Sequence, residues 1–121
     1  MTGADRADVE ARGLFHALAA AETYDAVVLL KGRHTLVAAP GGGVRVTTTG
    51  VPWLATAGAG DVLTGLIGAL LAAGLTPRDA ASVGSGLHGA AATLASRGGP
   101  LVAGDVARSL PEVVRLLAWA D

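Results

Sequence analysis

The 121-residue sequence predicts an α/β fold in which a few strands are followed by helices. Residues 26–30 form a short apolar run of Ala, Val and Leu, which is typical of a strand buried on both faces of a parallel sheet. Residues 35–39 and 44–48 flank a Pro-Gly-Gly-Gly turn, and β-branched side chains are frequent in the second segment. This pattern predicts a β-hairpin. After residue 60, apolar segments are separated by glycine and proline, which predicts helices.

The amino-terminal part of the chain predicts one helix and one strand. The helix covers residues 5–22, where Val9, Leu14 and Leu18 keep one face apolar. The strand over 26–30 follows after a break. Because the rest of the sequence offers this strand no parallel neighbour, we expect the sheet to be incomplete within this chain.

The first helix of the carboxyl-terminal part follows a loop over residues 50–60. It covers residues 61–73 and has apolar side chains on all sides. We therefore expect it to be buried, with Gly65 and Gly68 allowing neighbouring elements to approach closely.

Two further helical regions complete the predicted fold. One begins at the N-cap Thr76, has Pro77 at its first position and Asp79 in a variant of the capping box, and reaches about residue 96. The other consists of two pieces that meet at Pro111, residues 105–110 and 111–119.

The composition excludes several classes of protein. Hydrophobic residues make up 51% of the chain, which excludes intrinsic disorder. Nine basic and ten acidic residues give a formal charge of −1, so nucleic acid and membrane surfaces are not expected partners. The absence of cysteine excludes disulfide scaffolds and thiolate metal sites. The start does not resemble a signal peptide, and the longest apolar stretch is shorter than the roughly 20 residues that span a bilayer. We therefore expect a cytoplasmic protein.

The glycine-rich segment 56–65 is the strongest chemical signal. Its small residues place a bare backbone at the start of a helix, where free amides and the helix dipole attract anions. Asp61 has two interpretations at this point. Its carboxylate could accept a proton from a hydroxyl while the amides hold a phosphoryl group, or it could only cap the helix. The spacing alone leaves both open.

Lys31, the single lysine, follows the predicted buried strand together with Gly32. Open α/β sheets bind ligands beyond the carboxyl ends of their strands, so these two residues and Thr35 could contact a nucleotide. For a lone lysine at a strand end, however, a solvated turn is the more frequent finding.

Histidine and tryptophan residues give weaker signals. His88 lies within a predicted helix among small residues, which favours a packed or capping histidine over a ligand. His16 and His34 have no metal-ligand spacing with each other or with His88, so no metal site is predicted. Trp53 could stack on a base or cover the core, and the sequence does not decide between these.

Several strings of the sequence, taken together, resemble the ADP-dependent NAD(P)H-hydrate dehydratase family of the ribokinase-like superfamily: residues 28–32, 35–40, 49–50, 52–65, 70–75, 87–89, 103–106 and 110–111. The resemblance covers nearly the whole chain from about residue 27 onward. It corresponds to the carboxyl-terminal half of the family's domain. It implies a ribokinase-like three-layer α/β/α sandwich, of which residues 1–121 form the carboxyl-terminal portion.

The resemblance also implies a function. Members of this family repair the S epimer of hydrated NADH or NADPH by removing water, with ADP or ATP as co-substrate and Mg²⁺ accompanying the nucleotide. Phosphorylation of the ring hydroxyl creates a leaving group, and elimination then restores the nicotinamide. Implied partners are an amino-terminal half or an epimerase domain, and we expect a homo-oligomer. Since half of the family's domain is absent, we expect little activity from these residues alone.

By resemblance, Asp61 is the catalytic base and contacts the hydrated cofactor. Gly58, Ala59 and Gly60 form the anion hole that holds the transferred phosphoryl group. The residues that align with the family's nucleotide contacts are Lys31, Gly32, Arg33, His34, Thr35 and Gly60. This resemblance favours a functional Lys31 over the solvated turn.

The chain departs from the family at two places near this motif. Val51 stands where members often have Asn or His, and Ala57-Gly58 stands where they frequently have two glycines. Both departures leave the anion-binding turn usable. Two alternatives remain beside the dehydratase: a ribokinase-like kinase for a small alcohol, and a catalytically silent fragment that binds nucleotide.

Overall fold

The computed structural model describes residues 5–32, 34–48 and 50–118. No helix within these ranges is both long enough and apolar enough to cross a membrane. The elements, in chain order, are α1 (Arg6–Ala11), α2 (Gly13–Tyr24), β1 (Val28–Leu30), β2 (Thr35–Ala38), β3 (Val44–Thr47), a short 3-10 helix (Pro52–Leu54), α3 (Ala59–Ala72), α4 (Pro77–Ser96) and α5 (Ala103–Ala118).

The predicted hairpin is confirmed as β2 and β3, and Thr49 beyond it lies outside the described residues. Gly41 and Gly42 in the turn have φ angles of 93° and 92°, a conformation that favours glycine. The Gly41 amide also donates to the Glu22 carboxylate at 2.6 Å, so the turn is held against α2.

The antiparallel sheet β1-β2-β3 lies between two helices. One face contributes Val28, Ala38 and Val44 to a cluster with α2. The opposite face carries Arg45 and Thr47, whose side chains bond to α4. Because neighbouring residues in a strand point to opposite faces, α2 and α4 cover the sheet from two sides. The result is the predicted α/β/α layering, with α3 and α5 packed on α4.

The expectation of a fully buried parallel strand at residues 26–30 is wrong for the described structure. The strand is only Val28–Leu30, it runs antiparallel to β2, and its residues are half-buried. Within the described ranges β1 has a hydrogen-bonded neighbour on one side only. A strand at the edge of a sheet retains exposed surface even when its side chains are apolar.

The single helix predicted over residues 5–22 is interrupted at Arg12, where φ is −130° and ψ is 48°. Asp8 joins the two pieces: its carboxylate accepts from the Arg12 guanidinium at 2.8 Å and lies 2.6 Å from Nε2 of His16 on α2. These two hydrogen bonds lower the pKa of Asp8 to about 2, and the bond from Arg12 has the larger effect.

The expected burial of α3 is also wrong. Ala59 and Leu63 are its only buried residues, and Leu71 is 43% exposed. Among the described elements, α4 and α5 are those that pack extensively on α3, and most of the helix surface away from them is exposed. Gly65 and Gly68 lie on the open side, and no atom would come within 4 Å of a Cβ placed on either.

The close approach between helices occurs instead at Gly84. A Cβ atom there would lie 2.7 Å from Cγ1 of Ile67, so a larger residue requires the Ile67 side chain to be displaced or the two helices to separate. Gly84 is buried, and His88 follows one turn later on the same face of α4. The glycine therefore sets the distance from which His88 contacts α3.

The beginning of α4 is confirmed, and one detail differs. Thr76 is the N-cap, Pro77 follows it, and the Thr76 hydroxyl accepts from the Asp79 amide at 3.2 Å. Among the described residues, no bond from the Thr76 amide back to the Asp79 carboxylate is found, so the reciprocal half of the capping box is not formed. The carboxylate accepts from Arg45 on β3 at 2.7 Å instead, and this ion pair links the helix to the sheet.

The predicted joint at Pro111 is absent, because α5 is continuous from Ala103 to Ala118, while Trp119 lies outside the described residues. Proline removes the donor that would serve the carbonyl four residues earlier, at Ala107. Both residues are exposed, so water can satisfy that carbonyl and the helix continues.

We expect Gly84→Ala to destabilise the fold by about 1–3 kcal/mol, because the added methyl group must displace Ile67. The matched control is Gly86→Ala in the same helix, where nothing lies within 4 Å of the new Cβ. That change should stabilise by about 0.5–1 kcal/mol through helix propensity. Urea unfolding measures both, and equal stabilisation by the two variants would contradict the tight contact at Gly84.

We expect Asp8→Asn to lower stability at neutral pH but not in strong acid. The folded pKa of Asp8 is depressed from 3.8 to about 2, so its contribution is present above pH 3.8 and is lost as the pH falls through 2. Thermal unfolding of both proteins between pH 2 and 7 tests this. A stability difference that does not change with pH would contradict the assignment.

Candidate nucleotide and anion site

The first turn of α3 is an uncapped helix end made of small residues. Gly58 is the N-cap with φ of 86°, and no side chain in the described part of the sequence caps the helix. A Cβ on Gly58 would lie 3.3 Å from the Cβ of Ala103, so both the backbone conformation and the space favour glycine. The amides of Ala59 and Asp61 donate to the carbonyls of Thr56 and Gly58. Among the described residues, no acceptor is found for the Gly60 amide.

Lys31 approaches this helix end from the sheet. Its Nζ lies 3.6 Å from the position that a Cβ on Gly60 would occupy, although the two residues are 29 positions apart. Lys31 is exposed, and the described part of the chain provides no acidic partner for it. An unneutralised ammonium group beside the positive end of a helix dipole creates a local field that attracts anions.

His88 lies beneath the same turn and is 3% exposed. Its Nε2 is 3.0 Å from the carbonyl oxygen of Ala59. Burial lowers the pKa of His88, and the charge of Lys31 lowers it further, against the raising effect of the Ala59 carbonyl. The interpretation of His88 as a packed histidine is therefore confirmed, and its partner is the backbone of the anion-binding turn.

Asp61 lies in the first turn of α3 with an exposed side chain. The capping interpretation fails, because the N-cap is Gly58 and no side chain bonds to the helix end. No hydrogen bond or ion pair of the Asp61 carboxylate is found within the described ranges. Its carboxylate is thus available to a ligand at the mouth of the turn.

A cleft of about 1010 Å³ lies beside this turn. Of the predicted nucleotide contacts, Lys31, Gly32, His34 and Thr35 line it, whereas Arg33 lies outside the described residues. The volume is in the range of cavities that bind small molecules. The residues of the glycine-rich turn do not themselves line the cleft: Gly58, Ala59, Gly60 and Asp61. The turn lies next to the cleft, because Lys31 and His88 line the cleft and contact Gly60 and Ala59.

Two polar residues in the cleft were missed by the sequence reasoning. The hydroxyls of Thr47 and Ser85 lie 2.8 Å apart, and both residues line the cleft. The position of Thr47 in the cleft could be found from the register of the hairpin. Thr47 lies directly opposite Thr35, so the two side chains share one face of the sheet. Trp53 is 45% exposed and does not line the cleft, unlike its neighbours Pro52 and Leu54.

The site has no protein-built metal centre among the described residues. No group of three or more His, Cys, Asp or Glu side chains is close enough to hold an ion there. Asp61 is the single carboxylate in the first turn of α3. Mg²⁺ is commonly held by one or two carboxylates together with substrate phosphates and water, so this donor set fits an ion that a nucleotide carries.

Solved structures and curated proteins resemble the chain closely over part of their length. The crystal structure of the ADP/ATP-dependent NAD(P)H-hydrate dehydratase from Bacillus subtilis, co-crystallized with ATP/Mg²⁺ and soaked with CoA, aligns with a TM-score of 0.89 and 32% identity. The alignment covers 96% of this chain and 44% of that one.

Two curated proteins show the same partial coverage. The bifunctional NAD(P)H-hydrate repair enzyme Nnr of Moorella thermoacetica is 48% identical over 100 residues, which are 80% of this chain and 19% of that protein. The ADP-dependent (S)-NAD(P)H-hydrate dehydratase of Neisseria meningitidis is 45% identical over 94 residues, which are 78% of this chain and 32% of that protein. The chain therefore spans about a fifth to a third of the length of these relatives.

The family assignment follows from a match that is longer than these pairwise ones. The sequence model of a family described as NAD(P)H-hydrate dehydratase matches residues 6–111, which include β1, the glycine-rich turn and His88. Sequence and fold thus agree, and the chain belongs to the NAD(P)H-hydrate dehydratase family.

Proposed function

We propose that residues 1–121 provide the nucleotide-phosphate and phosphoryl-transfer part of an ADP-dependent (S)-NAD(P)H-hydrate dehydratase. One observation carries the proposal: the ammonium group of Lys31 converges on the uncapped first turn of α3 without an acidic partner among the described residues. Two independent positive fields at one place favour a multiply charged anion. The names of two relatives, an ADP-dependent (S)-NAD(P)H-hydrate dehydratase and an ADP/ATP-dependent NAD(P)H-hydrate dehydratase, support ADP and hydrated NAD(P)H as the proposed substrates.

The nucleotide is proposed to lie in the cleft. Lys31, Gly32, His34 and Thr35 line it. We assign the remaining nucleotide contacts to Arg33 and to Gly60, next to the Lys31 ammonium group. Gly58, Ala59 and Gly60 would hold the transferred phosphoryl group, and Mg²⁺ would be bound mainly by the phosphates.

The proposed chemistry begins at the hydroxyl of the hydrated nicotinamide ring. Asp61 accepts the hydroxyl proton while the hydroxyl oxygen attacks the terminal phosphorus of ADP, and the bond to the leaving AMP breaks. The phosphorylated ring then loses inorganic phosphate and a proton from the adjacent carbon, which forms the ring double bond. The carboxylate of Asp61, which is exposed and has no bonded partner among the described residues, is consistent with the role of base.

The complete reaction is proposed for a longer protein than these 121 residues, because the relatives are longer. The chain spans 44% of the Bacillus subtilis enzyme, so the complete reaction is proposed together with the part of the domain that corresponds to the rest of that length. An amino-terminal half or an epimerase domain as partner, a homo-oligomer, and a cytoplasmic location remain predictions. Binding of ADP is the property that these residues should show by themselves.

We expect Lys31→Met to weaken ADP binding by about 10–100-fold, because a hydrogen bond to a charged group contributes roughly 1.5–3 kcal/mol. Arg115→Met is the control, since it removes an exposed positive charge on α5 far along the chain from the site. Calorimetric titration with ADP measures both variants. Equal affinity of Lys31→Met and the wild type would contradict the proposed site.

We expect Asp61→Asn to reduce turnover by about 10²–10⁴-fold with little change in ADP affinity, because only proton acceptance is lost. The assay follows the recovery of NADH absorbance from the S epimer with ADP, with the chain alone and with the amino-terminal part of a relative added. Glu112→Gln, an exposed carboxylate on α5, is the control. Retained turnover by Asp61→Asn would remove Asp61 from the role of base.

A further inference from the structure

The hydrogen bond between His88 and the first turn of α3 has a definite direction. A carbonyl oxygen only accepts, so Nε2 of His88 carries the proton and donates to the Ala59 carbonyl oxygen over 3.0 Å. Both residues are buried, at 3% and 1% exposure, so water does not compete for this bond. The bond therefore adds a constraint from α4 to the helical backbone of α3, and the two together hold the orientation of the peptide unit that contains the Ala59 carbonyl.

That peptide unit also contains the amide of Gly60. In a planar trans peptide the carbonyl and the following N–H point in opposite directions. Because the carbonyl of Ala59 is directed to the buried His88, the Gly60 amide points the other way, away from His88. It is also the amide for which the described residues offer no acceptor, and the Lys31 ammonium group lies beside the same glycine.

We propose that His88 is a positioning residue that aims the Gly60 amide at the phosphate of the bound nucleotide. The inference rests on the proposed function, in which that phosphate lies between Gly60 and Lys31. His88 does not touch the ligand in this account. It acts through the peptide unit between Ala59 and Gly60.

Two features of the surroundings support this role of His88: its lack of charge and its distance from Ala59. Burial and the nearby charge of Lys31 lower the pKa of His88, so the ring remains neutral at physiological pH and adds no charge beside the ammonium group. Gly84, one turn earlier on α4, lets α4 lie against Ile67 of α3 and so keeps Ala59 within reach of His88. The donor and the distance are thus set by the same helix face.

The experiment compares two variants of similar side-chain size, His88→Gln and His88→Leu. Glutamine keeps an N–H donor, whereas leucine retains the packing and removes the donor. Ser96→Ala is the control, because Ser96 is also buried on α4 and bonds to a backbone carbonyl, that of Gly99, at the carboxyl end of the helix and away from α3's first turn. The readouts are the ¹⁵N–¹H signal of the Gly60 amide in the free chain and the affinity for ADP.

We expect His88→Leu to shift the Gly60 signal and to weaken ADP binding about tenfold, the effect of losing one oriented hydrogen bond. His88→Gln should preserve the signal and stay within about threefold of the wild-type affinity. Ser96→Ala should match the wild type in both readouts. If His88→Leu does not fold, failure of the folded His88→Gln variant to preserve the Gly60 signal overturns the inference.

The inference is also overturned if His88→Leu leaves the Gly60 signal and the ADP affinity unchanged, or if Ser96→Ala weakens binding equally. Failure of the proposed function has a different signature. A wild-type chain that binds no ADP would contradict the proposed function, while the Gly60 signal in the free variants still decides whether His88 orients the turn.

Discussion

The contact between α3 and α4 at Gly84 is the constraint on which the site depends. Because Ile67 occupies the space that a side chain at residue 84 would need, the two helices approach closely along this line. The same face of α4 then presents His88 to the first turn of α3. On its sheet side, α4 is tied to β3 through Arg45 and Asp79. The carboxyl end of β1 and the amino end of α3 are in this way fixed relative to one another.

The electrostatics of the site follow from this arrangement. Lys31 carries the positive charge, the helix end adds a partial positive charge, and His88 contributes a hydrogen-bond donor without a charge. Protonation of His88 would place a second cation in a buried position close to the first, which burial disfavours. The positive charge of the site is therefore available to an anionic ligand. The carboxylate of Asp61 is exposed and forms no ion pair with Lys31 among the described residues.

The sequence predicts those elements whose signals are local. The hairpin follows from glycines that adopt positive φ angles, and the start of α4 follows from an N-cap and a proline that act within one turn. Burial and continuity depend on the surroundings of an element, which periodicity does not contain. Apolarity predicts a buried α3, but among the described elements α4 and α5 pack on it and leave most of its residues partly or fully exposed. A proline predicts a division of α5, but the freed carbonyl at Ala107 is exposed to water.

In the candidate site too, local features can be predicted from the sequence and contacts between distant residues cannot. The glycine-rich turn can be predicted from the sequence, because its small residues directly precede the start of a helix. The approach of Lys31 to Gly60 and the bond from His88 to Ala59 join residues 29 positions apart in each case, so spacing could not reveal them. The resemblance to a family favoured a functional Lys31, and the geometry now supplies a physical reason. The catalytic role of Asp61 stays a prediction.

A crystal structure of the chain with bound ADP would test the central claim most directly. The account predicts the terminal phosphate between Nζ of Lys31 and the Gly60 amide, with the Ala59 carbonyl still bonded to His88. A terminal phosphate bound away from both groups, with Lys31 turned to solvent, would contradict it.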